Sequence, residues 1–201
     1  MPILTPPDVA IAKVSWKSTP RNQKFESELN GDQQVIALPG DRWSAVLTVV
    51  DLRGSEALSW IAFLISLGGM RGRFWLSPPG QRTPAGTAQG AGIVSGANQV
   101  GSSLTTGGWD PDQAELLLPG DYFQVGQELK MVTAPVGSNA SGVAVIPFAP
   151  VLRKSPLNGA SIITTNPACV MMMADDNQTG WDIQGARIYA MTHACVEALD
   201  I

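Results

Sequence analysis

Residues 39–50 read Pro39-Gly40-Asp41-Arg42-Trp43-Ser44-Ala45-Val46-Leu47-Thr48-Val49-Val50, and from Trp43 onward apolar side chains alternate with others. Trp43, Ala45, Leu47 and Val49 fall on one face, the period-two mark of a strand with one side buried. Upstream, Val9–Trp16 alternates around Val9, Ile11 and Val14. Phe25–Leu29 and Gln33–Leu38 flank Asn30-Gly31, a pair that readily takes the positive φ angles of a tight hairpin. Together these stretches predict an antiparallel meander.

Downstream comes one helix, predicted over residues 55–67. Ser55 can cap it, Glu56 suits the first turn, and Gly68-Gly69 can end it through a left-handed cap. Between them stand Ala57, Leu58, Trp60, Ile61, Ala62, Phe63, Leu64, Ile65 and Leu67, apolar nearly all round. One sheet cannot cover such a helix, so it is expected to lie between surfaces, a neighbouring subunit among them. Arg73–Leu76 then gives a short aromatic strand before Ser77-Pro78-Pro79-Gly80.

From Gln81 the texture changes to small and polar residues punctuated by Gly86, Gly90, Gly92, Gly96 and Gly101. Strands are expected at Ala91–Ser95, Ser102–Thr106, Tyr122–Val125, Glu128–Val132 and Val143–Pro147, with turns at Pro119-Gly120-Asp121 and Gly126-Gln127. Five short strands with glycine-rich corners suit a small closed or partly open barrel of the OB type. The remainder offers Ser161–Thr164, Cys169–Met173, Trp181–Ile183 and an alternating segment from Ala186 to Leu199 that reads as a strand.

Composition agrees. The 21 glycines and 15 prolines exceed the usual share, whereas charged residues make up 15% against roughly 25% ordinarily. With 44% hydrophobic residues, disorder is excluded, and many short strands are favoured over a helical bundle. The net charge of −4 argues against sequence-specific nucleic-acid binding, which needs clustered Lys and Arg. It is uneven: residues 1–86 hold nine basic and seven acidic groups, and residues 87–201 hold four and ten. That asymmetry hints at two bodies with different surfaces. No basic-then-apolar signal opens the chain, and the longest apolar run, around Ile61–Leu67, falls short of the roughly 20 residues that span a bilayer. The expectation is a protein made in the cytosol that stays soluble, with no membrane insertion. The sequons at Asn139 and Asn177 then carry no meaning.

No catalytic constellation stands out. His193 is the single histidine, has no motif partner and sits inside the terminal strand, so a structural or interface role is expected. A GxSxG elbow and a Walker pattern are absent, and the stretch from Gly90 to Gly96 misses the spacing of a dinucleotide fingerprint. Cys169 and Cys195 form no metal or redox spacing and read as buried reduced thiols. Asp110/Asp112 and Asp175/Asp176 lack EF-hand spacing and suit hydrated loops. No metal, no cofactor and no enzymatic activity are therefore expected. Among the six tryptophans, Trp109 differs, lying in a Gly-Gly-Trp-Asp-Pro loop where it could stack on a sugar or staple the loop.

Several stretches taken in order resemble tail proteins of long-tailed bacteriophages. They are Gly40-Asp41-Arg42-Trp43, Ser59-Trp60-Ile61-Ala62-Phe63-Leu64 and Gly69-Met70-Arg71-Gly72-Arg73-Phe74-Trp75-Leu76. Gly96-Ala97-Asn98-Gln99-Val100-Gly101, Leu118-Pro119-Gly120-Asp121-Tyr122-Phe123-Gln124-Val125-Gly126 and Pro150-Val151-Leu152-Arg153 continue the series. In this they resemble the distal tail protein (Dit) class, and the resemblance covers most of residues 20–165; residues 160–201 carry little of it.

That resemblance implies a mainly β fold, a tail-tube-like β-barrel or sandwich with one packed helix. It also implies a hexameric ring joining the tail tube protein to the tail hub protein at the tip of the virion. Some members insert an OB-like or lectin-like domain outside the ring. The expected organisation is then a ring-forming domain over residues 1–83, an inserted OB-like β-barrel over 84–159, and closing strands of the first domain over 160–201. Trp60, Phe63 and Phe74 are expected at the packing core or subunit contact. The alternatives are a carbohydrate-binding module touching the host surface, with Trp109, Asp110 and Tyr122 as contacts, another tube or hub subunit, and a wall-degrading hydrolase.

Overall fold

The structure, a computed structural model, describes residues 2–80 and 82–199. Among them the chain begins with strands β1 (Ile3–Leu4), β2 (Lys13–Thr19), β3 (Asn22–Glu26), β4 (Gln33–Ala37) and β5 (Arg42–Leu52). The helix α1 (Gly54–Leu67) follows, then β6 (Arg73–Leu76), β7 (Gly90–Val94) and β8 (Gly101–Trp109). Next are β9 (Tyr122–Val125), β10 (Glu128–Val132), β11 (Ala144–Leu152) and β12 (Ile162–Ile163). The chain closes with β13 (Cys169–Met173), β14 (Asp182–Gln184) and β15 (Ile188–Glu197). The fold is mainly β, with one α-helix.

The strands form two large sheets and one free hairpin. The first sheet runs β1-β6-β13-β15-β5-β2, with β14 also paired to β15, and curls into a half-barrel. Its centre is the long antiparallel β5–β15 pair, in which Leu47 faces His193 and Ala45 faces Cys195. Alternation on β5 turns Trp43, Ala45, Leu47 and Val49 to one side, where they meet Phe74, Met171, Met173 and the buried face of α1. That helix face is Ala57, Trp60, Ile61, Phe63, Leu64 and Leu67.

The expected meander is corrected. Strand β2 pairs directly with β5, from Lys13↔Thr48 to Thr19↔Arg42, while among the described residues β3 and β4 pair only with each other. Pro20 and Pro39 sit at the joint between the two ladders, and each lacks the N–H that would continue pairing. Ser55 is not the helix cap either. Arg53 occupies that position without a side-chain capping bond, whereas the far end does close through Gly68 at φ 61°, its N–H bonded to Ile65 O at 3.1 Å.

The second sheet runs β12-β9-β10-β11-β8-β7, all antiparallel. A bridge between Ile93 and Ser161, with Val94 N–H donating to Ala160 O at 2.8 Å, brings its ends together into a nearly closed barrel. Leu104, Leu116, Leu117, Phe123, Ile146 and Phe148 fill it. The barrel has six strands where five were expected, because Ile162–Ile163 adds to β9 instead of returning to the first sheet. The return begins at Cys169, where β13 pairs with β6.

Candidate functional site

The β3–β4 hairpin stands clear of both cores, with every residue of both strands exposed. Its turn is a six-residue loop tied by Ser27 N–H to Asp32 O at 2.9 Å and Gly31 N–H to Ser27 O at 3.0 Å. Register sorts its side chains. Gln23↔Ile36 and Phe25↔Gln34 share one face, while Asn22↔Ala37, Lys24↔Val35 and Glu26↔Gln33 share the other. The first face is uncharged and carries Phe25 and Ile36; the second carries a Lys24–Glu26 ion pair at 2.8 Å. Leu29 at the tip is 99% exposed and Val35 60%. A lone two-stranded hairpin is marginal in water, so such an arm gains from a surface to lie on.

The first sheet offers one. Its side opposite α1 is uncovered: register aligns Ser15, Val46 and Ala194, then Lys17, Ser44 and Val196, on that face. Val46 and Lys17 are exposed, and Met172, Ala194 and Val196 half-buried. A groove of about 330 Å³ runs along it, and its charged lining residues are Lys17 and Arg42, both cationic. The helix also leaves Leu58 and Ile65 outward, each 61% exposed, with Ala62 between them. Its outer side is therefore left uncovered by the described residues.

Between the two sheets lies a chain of buried charges. Lys130, its side chain 0% exposed, donates to Glu128 Oε2 at 2.7 Å and to Val151 O at 2.8 Å. Glu128 also accepts the N–H groups of Arg153 at 3.2 Å and Lys154 at 3.0 Å. Arg153 Nη2 reaches across to Glu197 Oε1 at 2.9 Å, and Glu197 Oε2 accepts Trp43 N–H at 3.1 Å. Beside them Trp43 Nε1 donates to Leu129 O at 2.9 Å, and Trp43 meets Tyr122 edge-on at 5.7 Å. Burial lowers the Lys130 pKa, an effect the adjacent Glu128 carboxylate opposes.

The residues singled out by sequence fall in different places. Trp60, Phe63 and Phe74 are buried together, with Trp60–Phe63 and Phe63–Phe74 ring centroids each 5.6 Å apart. They belong to the core of the first sheet and present no surface to a neighbour. Trp109 is 4% exposed, and its Nε1 donates to Thr106 Oγ1 at 2.8 Å. A Cβ on Gly92 would stand 2.2 Å from its ring, so glycine there lets the backbone lie on the indole. The glycan-stacking reading of Trp109 is thus corrected: its ring has no free face. Asp110 is exposed, and Tyr122 packs on Trp43 in the other core, with burial raising its phenol pKa. These three do not form one site.

Cys169 and Cys195 are buried free thiols, and burial pushes Cys195 up to about 12. His193 is buried too, its Nδ1 2.5 Å from Gln178 O. Asp175 and Asp176 take backbone partners, Asn177 N–H at 2.8 Å and Met70 N–H at 2.9 Å. Among the described residues no group of three or more His, Cys, Asp and Glu is placed to hold a metal ion, and no helix is long and apolar enough to cross a membrane.

Neither a family model nor a curated protein sequence matches the chain. Sequence reasoning missed the charge chain at the seam. Glu128 and Lys130 announce themselves only as two charges, two residues apart, within an otherwise apolar strand.

Proposed function

We propose that this chain is a structural subunit of a bacteriophage tail, a distal tail protein whose six copies close into a ring between the tail tube and the hub. Its work is geometric: one heterologous contact, repeated by rotation, closes a ring around a lumen. The observation that carries this reading is the free hairpin Asn22–Ala37, which exposes Phe25, Leu29, Val35 and Ile36 outside either core. Such an arm has little reason to exist on a solitary molecule. The uncovered face of the first sheet and the Leu58–Ala62–Ile65 stripe of α1 point the same way. The resemblance over residues 20–165 supplies the specific assignment to the tail tip.

Negative-stain electron microscopy of the purified chain, paired with light scattering, tests the reading. Six-fold rings, stacking with tube or hub protein when these are added, are the expected result. A monodisperse monomer at every concentration, unaltered by those partners, would overturn it.

A further inference from the structure

We propose that the hairpin of one copy seats on the uncovered face of the first sheet of the next, with Phe25 and Ile36 over Val46, Ala194 and Val196, and with Glu28 and Asp32 against Lys17 and Arg42. The inference rests on the ring reading and names the two surfaces that would make its repeating contact. The occupant is a second copy because the two surfaces complement each other in charge and in polarity. The arm carries Glu26, Glu28 and Asp32 against the single cation Lys24, which is already paired with Glu26. The groove on the sheet carries Lys17 and Arg42, and among the described residues neither has a carboxylate partner. An unpaired pair of anions therefore faces an unpaired pair of cations, the arrangement that orients an encounter and fixes its register.

Polarity matches as well. The Phe25–Ile36 face of the hairpin holds only two glutamines besides its apolar residues. On the two inner strands of the sheet face, Ser44, Val46, Thr48, Thr192, Ala194 and Val196 are uncharged, and Lys13 and Lys17 stand beside them on the edge strand β2. Order along the chain agrees: the acidic pair Glu28 and Asp32 sits in the turn just beyond the Phe25 strand, and Arg42 lies four residues, about 13 Å of extended chain, from Val46 on β5. The apolar pair on the arm's ladder and the acidic pair at its turn can thus meet Val46 and Arg42 together. The contact joins unlike surfaces, so it leaves the arm of each new copy free to engage another until rotation closes the ring.

Charge reversal on the full chain tests this. Glu28→Lys with Asp32→Lys, and separately Lys17→Glu with Arg42→Glu, should each weaken self-association at least about tenfold by sedimentation velocity, a 1.4 kcal/mol effect. All four residues have solvent access, and melting temperatures should stay at the wild-type value. Mixing the two variants should restore assembly, because each arm then meets an oppositely charged groove, and a six-membered ring can alternate them. Phe25→Ser, an exposed substitution, should also dissociate the assembly without altering melting. If wild type assembles and either reversed variant assembles equally well, or if mixing restores nothing, the hairpin–sheet contact is wrong while the ring stands. If wild type never assembles, the ring reading fails and this contact fails with it.

Discussion

His193 illustrates how much a single buried side chain sets. It sits on β15 beside Leu47 of β5, its ring centroid 6.3 Å from that of Trp60 on α1. Nδ1–H donates to Gln178 O at 2.5 Å, and Nε2 is buried with no hydrogen-bond partner among the described residues. Desolvation lowers its pKa below the ordinary 6.5, more than the Gln178 carbonyl raises it. The unfolded chain therefore takes up a proton below pH 6.5 that the folded chain refuses, and stability falls as pH drops through that value. Urea midpoints taken between about pH 7.5 and about pH 5.5 should decline in wild type, with a slope no steeper than about 1.4 kcal/mol per pH unit from this group. His193→Asn, which keeps a donor for Gln178 O, should lose that part of the slope; identical pH curves would refute the assignment. The histidine's structural setting was legible, since it sat inside an alternating strand with no partner motif. Trp109 was not, because its burial depends on the backbone at Gly92, far along the chain and across a strand pair. A local window of Gly-Gly-Trp-Asp-Pro carries turn chemistry and nothing of what lies over the ring.

At the scale of elements, the sequence announces what is local and hides what is paired at a distance. The helix shows both. Its end is written in Gly68, whose left-handed φ of 61° lets the N–H turn back to Ile65 O. No atom lies closer than 4.0 Å to a Cβ placed there, so Gly68→Ala meets only backbone strain. The expected cost is about 1–2 kcal/mol in chemical denaturation, with the native near-ultraviolet spectrum retained. A loss near zero would show that the cap is not strained. The strands β8 to β11 were legible from short apolar stretches bounded by glycine and proline turns, β9 and β10 to the residue, whereas β8 runs on to Trp109 and β11 to Leu152, past the expected ends at Thr106 and Pro147. The pairing of β2 with β5 was not. Four consecutive strands fit a meander equally well, and only the two prolines at the joint, Pro20 and Pro39, decide that the middle pair leaves the sheet. Their effect acts between strands, where a reading of single segments does not look. The partner of the short β12 escaped for the same reason: a strand at Ser161–Thr164 was legible, but Ile162–Ile163 belongs to whichever edge lies near, and that edge is β9.

At the scale of the molecule, the seam between the two sheets decides whether the protein behaves as one body. Apolar contact there is modest, with Leu129, Tyr122 and Met131 reaching into the first core. The specific connection is electrostatic: Lys130, Glu128 and Arg153 from the barrel side and Glu197 from β15, tied on to Trp43 N–H. A buried pair is not in itself strongly stabilising, because desolvation offsets the attraction. Removing one partner is another matter, since the other is left charged in a poor solvent. Arg153→Met would leave Glu197, whose side chain is 0% exposed, with the Trp43 amide as its remaining donor among these contacts. The expected loss is about 3–5 kcal/mol in urea denaturation. Adding Glu197→Gln removes the stranded charge while keeping an acceptor for Trp43 N–H, and should recover at least about half of that loss. A double variant as unstable as the single one would mean that Arg153 acts through packing of its stem and not through Glu197. The same measurement bears on assembly. A ring subunit must hold its arm and its barrel in fixed relation for one contact to repeat around an axis. If the proposed ring forms, the single variant should therefore also scatter the barrel positions in ring images at temperatures below its melting point, while the proposed hairpin contact, built on the first sheet alone, persists.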